Sequence, residues 1–234
     1  MNLEKRICLV SGGNRGLGFE TCHQLALLGH IVILTARNLT KGKTAAKQLT
    51  DKGFNIIFYQ MDVTNQDSID DAYDKIIQRF GRVDVLVNNA AILYDTWQRA
   101  IDADFEIVSQ ALITNLLGPW RLSQRFIPIM KKNRYGRIVN VSSLAGSLHF
   151  MGKGAPAYSI SKTALNALTR KLAAELLGTG ILVNSIDPGW VATDMGGRGG
   201  RPIEEGVKGI VWASTLPDDG PTGGFFFEGK PVEW

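Results

Sequence analysis

Short apolar runs, unbroken by polar residues, alternate with longer amphipathic stretches along nearly the whole chain. A strand wetted on one face alternates apolar with polar residues. A run that does not alternate is buried on both faces, which a parallel sheet covered by helices on both sides achieves. The apolar runs are 7–10, 31–35, 56–59, 83–88, 137–142, 181–186 and 224–227. The helical stretches between them are 16–28, 41–51, 66–80, 102–131, 156–177 and 203–214. This βαβα order predicts an α/β fold, a doubly wound parallel sheet of about seven strands with helices on both faces. Thr64, ahead of Asn65, Gln66 and Asp67, marks a helix N-cap region, and Gly53 and Gly81 mark helix stops. With no repeat and no linker in it, 1–234 reads as one domain. Two loops stand out: 195–201 is glycine-rich, and 216–224 carries proline and glycine before the last strand.

Charge narrows the range of partners. The formal net charge is +4, but lysines and arginines are interspersed with acids, so no basic stripe points to nucleic acid. No apolar stretch reaches the ~18 residues of a membrane-spanning helix, so no membrane partner is expected. Met1 to Arg6 leads straight into the first strand without a signal-peptide core, and Cys8 and Cys22 fall at core positions. The expected location is cytoplasmic. The three histidines stand in no ligand spacing, and no metal is expected.

The first strand runs into Ser11-Gly12-Gly13-Asn14-Arg15-Gly16-Leu17-Gly18, after which a helix begins. Glycines let the backbone turn sharply and approach a ligand closely, and the helix start offers unpaired N–H groups to a pyrophosphate. The spacing, Gly-x3-Gly-x-Gly, differs from the Gly-x-Gly-x-x-Gly of the usual Rossmann fingerprint, but the strand–turn–helix context is the same. An NAD site usually carries an acid at the end of the second strand for the ribose 2′-hydroxyl. Here that strand ends Thr35-Ala36-Arg37. Arg37, with Arg15 from the glycine loop, would suit a 2′-phosphate, so NADP(H) is the expected cofactor; solvated surface arginines are the plainer alternative.

Tyr158 and Lys162 lie four residues apart on one predicted helix face. A cation beside a phenol favours the phenolate, making Tyr158 a candidate proton donor and acceptor. Taken alone, the pair reads more readily as an exposed polar couple. Its setting decides. With the glycine segment in place, the chain resembles the short-chain dehydrogenase/reductase family along nearly its whole length. Ser11–Gly18 is similar to that family's first motif, with Ser11 where threonine is usual. Asp62-Val63 resembles the pair that contacts adenine. Asn88-Asn89-Ala90-Ala91 resembles Asn-Asn-Ala-Gly, with Ala91 replacing glycine. Asn115 resembles the helix asparagine that holds a relay water, and Ser143 the serine that bonds the substrate oxygen. Pro188-Gly189-Trp190-Val191-Ala192-Thr193 resembles the segment that fixes the nicotinamide carboxamide through the Val191 backbone and Thr193 hydroxyl. Asp187 stands where asparagine is common.

The resemblance implies a catalytic set Asn115, Ser143, Tyr158 and Lys162. It implies a cofactor set Gly12, Asn14, Arg15, Gly16, Leu17, Gly18, Arg37, Asp62, Val63, Asn89, Ala90, Tyr158, Lys162, Pro188, Gly189, Val191 and Thr193. Within the family the chain is most similar to NADPH-dependent carbonyl reductases. That implies hydride transfer between NADP(H) and a small-molecule aldehyde, ketone or quinone, reversible as an alcohol dehydrogenase. His149, Phe150, Met151 and Trp190 suit an apolar or aromatic carbonyl substrate, or else core and interface packing. Only 14 residues separate Ser143 from Tyr158. The long insertion of some monomeric relatives is therefore missing, and a homodimer or homotetramer is expected. A 3-oxoacyl-thioester reductase and a non-catalytic NADP(H)-sensing regulator are the alternatives.

Overall fold

Alternate residues of each strand feed opposite faces of a sheet, and the first strand shows the consequence. In the computed structural model, which describes residues 5–92 and 94–234, Ile7 and Leu9 join one apolar core while Cys8 and Val10 join another. Met1 to Glu4, the start of the segment read as leading into that strand, lie outside the described residues.

The elements follow in chain order: β1 (Ile7–Val10), α1 (Gly16–Leu27), β2 (Ile31–Ala36), α2 (Leu39–Thr50), β3 (Ile56–Gln60), α3 (Gln66–Phe80) and β4 (Val85–Asn88). Then come α4 (Phe105–Leu112), a π-helical turn (Ile113–Leu117), α5 (Gly118–Asn133) and β5 (Gly136–Val141). A 3₁₀ turn (Leu144–Gly146), α6 (Pro156–Glu175), β6 (Ile181–Asp187), α7 (Ile203–Gly206), α8 (Lys208–Ser214), β7 (Phe225–Phe227) and β8 (Lys230–Pro231) complete it. Among the described residues the strands form one eight-stranded sheet in the order β3-β2-β1-β4-β5-β6-β7-β8, parallel except for β8. Helices α3, α5 and α6 cover one face, with Ile76, Phe126 and Leu165 in its core. Helices α1, α2 and α8 cover the other, with Leu25, Leu49 and Ile210.

From β1 the chain winds outward to β3, then returns to β4 on the other side of β1 and continues to β7. At this reversal the connections after β1 and after β4 lead off to opposite sides, opening a crevice at the carboxyl edge of the sheet where open α/β proteins bind ligands.

Several local expectations shift. The eighth strand is two residues long and pairs antiparallel with β7 across a turn at Glu228 and Gly229. Too short to show a period, it tolerates Pro231 at the sheet edge, where no N–H is needed. The expected helix 102–131 starts only after Asp104, which caps α4 by accepting from the Glu106 amide. It is also broken by the π turn, closed by a Gly118 N–H to Ile113 carbonyl bond. Pro119 explains the break, because it has no N–H to give Asn115 four residues back. The expected helix 203–214 divides at Val207. Asn65 rather than Thr64 caps α3, accepting from the Ser68 amide, while Thr64 turns to Asp62. Gly81 ends α3 in the left-handed conformation; Gly53 falls just beyond the end of α2.

Candidate active site

The loop after β1 is laced to the loop after β4. Ser11 Oγ accepts from the amides of Asn89 and Ala90, each at 3.0 Å. The Asn89 side-chain amide donates to the carbonyls of Ser11 and Gly12 at 2.9 and 3.2 Å. These contacts need glycine at two places. Gly12 sits at φ +66°, and a Cβ on Gly18 would stand 2.4 Å from both Asn89 Nδ2 and the Gly12 carbonyl oxygen. Helix α1 then begins behind Arg15 with no side chain capping its amides. A helix start of that kind is a ready anion site.

These loops wall a cavity of about 790 Å³. Of the expected cofactor set, Gly12, Asn14, Arg15, Gly16, Leu17, Gly18, Arg37, Asp62, Val63, Asn89, Ala90, Tyr158, Lys162, Pro188 and Thr193 line it. Gly189 and Val191 do not. Val191 is buried, and its side chain packs toward Gly206 on α7, so only its backbone is left for a ligand. Asp62 is oriented by Thr64, whose amide and hydroxyl donate to Oδ1 at 2.9 and 2.7 Å. At the rim, Arg15 pairs with Asp194 at 2.6 Å, whereas Arg37 makes no ion pair among the described residues. The cavity thus fits a dinucleotide: uncapped amides beside the glycine loop, an oriented carboxylate beyond it, and arginines at the mouth.

Tyr158 and Lys162, on the first turns of α6, line the inner end of this cavity and are buried. Burial pushes the Tyr158 phenol up to about 12; a hydrogen bond with Ser143 pulls it down, and Asp187 and Tyr94 add to the rise. Burial brings the Lys162 ammonium down to about 8. Burial thus outweighs the lowering expected from Lys162. Lys162 Nζ donates to the Val141 carbonyl at 2.7 Å and lies 5.5 Å from the centre of the Tyr158 ring, over its face. Ser143, half-buried after β5, also caps the 3₁₀ turn, its Oγ accepting from the Ala145 amide at 3.2 Å. It stands close to Tyr158 but does not line the cavity.

Asn115 departs most from expectation. Fully buried in the π turn, it lies outside the cavity wall. Its Oδ1 accepts from the Ile92 amide, and its Nδ2 donates to the Ile92 carbonyl and to Ser161 on α6. The side chain is therefore a brace between the β4 loop and the Tyr158 helix. With the side-chain amide engaged, a water held here would have to bond the backbone carbonyl, to which Pro119 offers no N–H.

Sequence reasoning missed Asp95. Helix α6 opens with Pro156 after Ala155, which has no capping group. The buried Asp95 carboxylate supplies the cap from the β4 loop, accepting from the amides of Ala157 and Tyr158, each at 3.0 Å. Gln98 donates to the same carboxylate and accepts from the Asp104 amide, extending the tie to α4. No local signal marks Asp95, because a cap normally sits next to its helix in sequence.

A match to the short chain dehydrogenase family spans residues 6–201. Carbonyl reductase (NADPH) 1 of Sus scrofa is 31% identical over 286 aligned positions, covering 100% of this chain and 96% of its own. That alignment is longer than the chain's 234 residues, so the pig enzyme carries inserted segments that this chain lacks. The 3-oxoacyl-acyl-carrier-protein reductase FabG of Aquifex aeolicus (strain VF5) is 35% identical over 83% of this chain and 77% of its own. An NADPH-bound carbonyl reductase from chicken fatty liver superposes with a TM-score of 0.88 at 30% identity, covering 99% of this chain and 100% of that one.

Proposed function

The chain belongs to the short-chain dehydrogenase family of oxidoreductases, and from that premise we propose that it is an NADPH-dependent reductase of aldehydes, ketones or quinones. The observation that carries the reading is the pair Tyr158 and Lys162 in the wall of a cavity whose outer part is a dinucleotide cradle, with Ser143 hydrogen-bonded to Tyr158 beside it. Bound in that cradle, the reduced nicotinamide supplies a hydride to the carbonyl carbon.

The chain's own residues handle the oxygen. Tyr158 Oη donates the proton, and a phenol pushed up by burial is fully protonated at neutral pH. Ser143 Oγ–H bonds the oxygen as negative charge develops there. Lys162, still mostly cationic at pH 7, holds the nicotinamide ribose and biases the phenol once its proton has left. Re-protonation runs from solvent past Lys162 through water at the Asn115 backbone carbonyl. Arg37, with Arg15, favours NADP(H) over NAD(H) through the 2′-phosphate.

The apolar side chains near Tyr158 and on the adjoining loops, which do not themselves line the cavity, are the basis for reading the substrate as apolar or aromatic. Tyr94 stands edge-on to Tyr158 at 5.1 Å, and Leu148, Phe150 and Trp190 are exposed on the loops after β5 and β6. A 3-oxoacyl thioester is the second reading, supported by the likeness to the Aquifex enzyme.

NADPH consumption against aldehydes, ketones, quinones and a 3-oxoacyl thioester separates the two readings. Tyr158→Phe should lower turnover by roughly 10²–10⁴-fold, the usual contribution of a positioned proton donor. A variant that keeps most of its turnover would refute the assignment.

A further inference from the structure

Beyond β6 the chain passes Pro188 and Gly189 to Trp190, and the glycine-rich segment 195–201 folds back onto that residue. Two backbone bonds close the ends of the excursion. The Arg201 amide donates to the Trp190 carbonyl at 2.8 Å, and the Ala192 amide to the Arg201 carbonyl at 3.0 Å. The Arg201 guanidinium is held in turn by Glu205 and Glu228. Between these ends, Thr193 turns the chain, its Oγ1 and carbonyl accepting from the Gly196 and Gly197 amides at 3.0 and 2.8 Å. Asp194 pairs with Arg15 across the cleft. The remaining fastening is the Trp190 side chain, whose indole N–H donates to the Gly196 carbonyl at 2.7 Å. The six-membered ring of that indole lies against Gly199, where an added Cβ would stand 2.7 Å from it.

The fastened segment is a wall of the dinucleotide cavity. Thr193, Asp194, Met195, Gly197 and Arg198 line it, while Trp190 itself does not. Trp190 is also largely exposed, so its ring adds little to the core. A large aromatic side chain outside the core, with its one polar atom spent on a glycine carbonyl, serves the loop rather than the fold. We propose that Trp190 is a positioning residue for the cofactor: its indole staples the loop 195–201 in the shape that walls the dinucleotide cavity. Glycines leave an unfastened loop of this kind many conformations. A loop already fastened has less freedom to lose when a ligand binds against it, so the staple raises affinity without touching the ligand. This role presumes the dinucleotide reading of the cavity.

Calorimetric titration with NADPH and with NADH measures the staple directly. Trp190→Ala should weaken both cofactors alike, by about fivefold to tenfold, the weight of one hydrogen bond and its packing. Trp190→Phe keeps the ring on Gly199 and loses only the N–H, so it should show part of that loss. Gly199 supplies a cycle. Its three nearest neighbours are all atoms of the Trp190 ring, and its φ lies outside the left-handed region. Gly199→Ala should therefore weaken both cofactors in the parent and change nothing in Trp190→Ala, where the ring is gone. Limited trypsin digestion reads the loop without any ligand. Arg201 is followed by Pro202, and trypsin passes over Arg–Pro bonds, so the loop can be cut only after Arg198. That cut, identified by mass, should come several-fold faster in Trp190→Ala. Unchanged dissociation constants, additive effects in the cycle or an unchanged rate of cutting would overturn the proposal. So would a change confined to KM for the carbonyl, which would make Trp190 a substrate wall. If Trp190→Ala does not fold, Trp190→Phe and Gly199→Ala carry the same comparison, and failure of all three makes Trp190 part of the fold alone. A parent that binds neither NADPH nor NADH removes the dinucleotide reading, while the cut after Arg198 still decides whether Trp190 staples the loop.

Discussion

At the inner end of the cleft Tyr158 and Lys162, and behind them Asp95 and Asn115, are buried and bonded to named partners. At the outer rim Arg15, Arg37 and Asp194 stand in solvent, with one ion pair among them. The difference sets what each region can control. In a dry site a single charge or hydrogen bond is strong, and its loss is felt in proton transfer and in folding. At a wet rim the same charges are screened, and they act by biasing which anion docks rather than by holding the fold.

The largest effect expected at the inner end belongs to Lys162. Its folded pKa of about 8 lies below the usual lysine value of 10.5, so between those values the unfolded chain binds the extra proton. Stability must then rise with pH across that window, by up to roughly 3 kcal/mol for the full shift. Denaturant titrations of the parent and Lys162→Met at intervals from pH 7.5 to 10.5 isolate this dependence. Equal pH slopes in the two proteins would mean that Lys162 is not desolvated as described.

Asp95→Ala comes next. It strips the cap from α6 and leaves the amides of Ala157 and Tyr158 without their acceptor. A lost cap costs about 1–2 kcal/mol, and kcat should fall because Tyr158 sits in the turn that loosens. Asp95→Asn keeps one acceptor oxygen and should recover part of both losses. A stable Asp95→Ala protein with unchanged kcat would show that α6 positions Tyr158 without help.

Sequence and structure agree where the signal is local. Runs such as Ile33-Leu34 and Val85-Leu86-Val87 declare strands buried on both faces, and the glycine cluster and the Tyr158–Lys162 interval declare the two ends of the cleft. Contacts between distant segments were not legible. Asp95 meets α6 across some sixty residues, and the π turn at Asn115 depends on which helical register survives Pro119. The burial that raises the Tyr158 pKa, and the turn of Lys162 toward Val141, are likewise set by tertiary packing. Asp187 was visible as a departure from the family's usual asparagine, but its burial and its bonds from the Gly189 and Leu144 amides are not disclosed by spacing along the chain.

Arg37→Asp tests the rim at its stronger point. With no competing ion pair among the described residues, Arg37 is available to a 2′-phosphate. Replacing it should weaken NADPH about tenfold, equivalent to roughly 1.4 kcal/mol, with NADH little affected. Ratios of KM for the two cofactors at low and high salt measure this. An unchanged preference would move the selectivity elsewhere.

Asp194→Ala should have the smallest effect and separates two views of the rim. Arg15 and Asp194 meet at 2.6 Å with side chains 68% and 76% exposed. A pair this wet is worth at most about 1 kcal/mol, so the melting temperature should barely move. If Asp194 merely occupies Arg15, its removal frees a cation for phosphate. NADPH should then bind more tightly, by no more than about fivefold, and the gain should fade as salt is raised. If the pair instead holds loop 195–201 against the cleft, the variant weakens NADPH and NADH alike and salt makes little difference. The first result would make the rim a set of independent charges. The second would extend the cooperative construction of the inner end outward to the mouth.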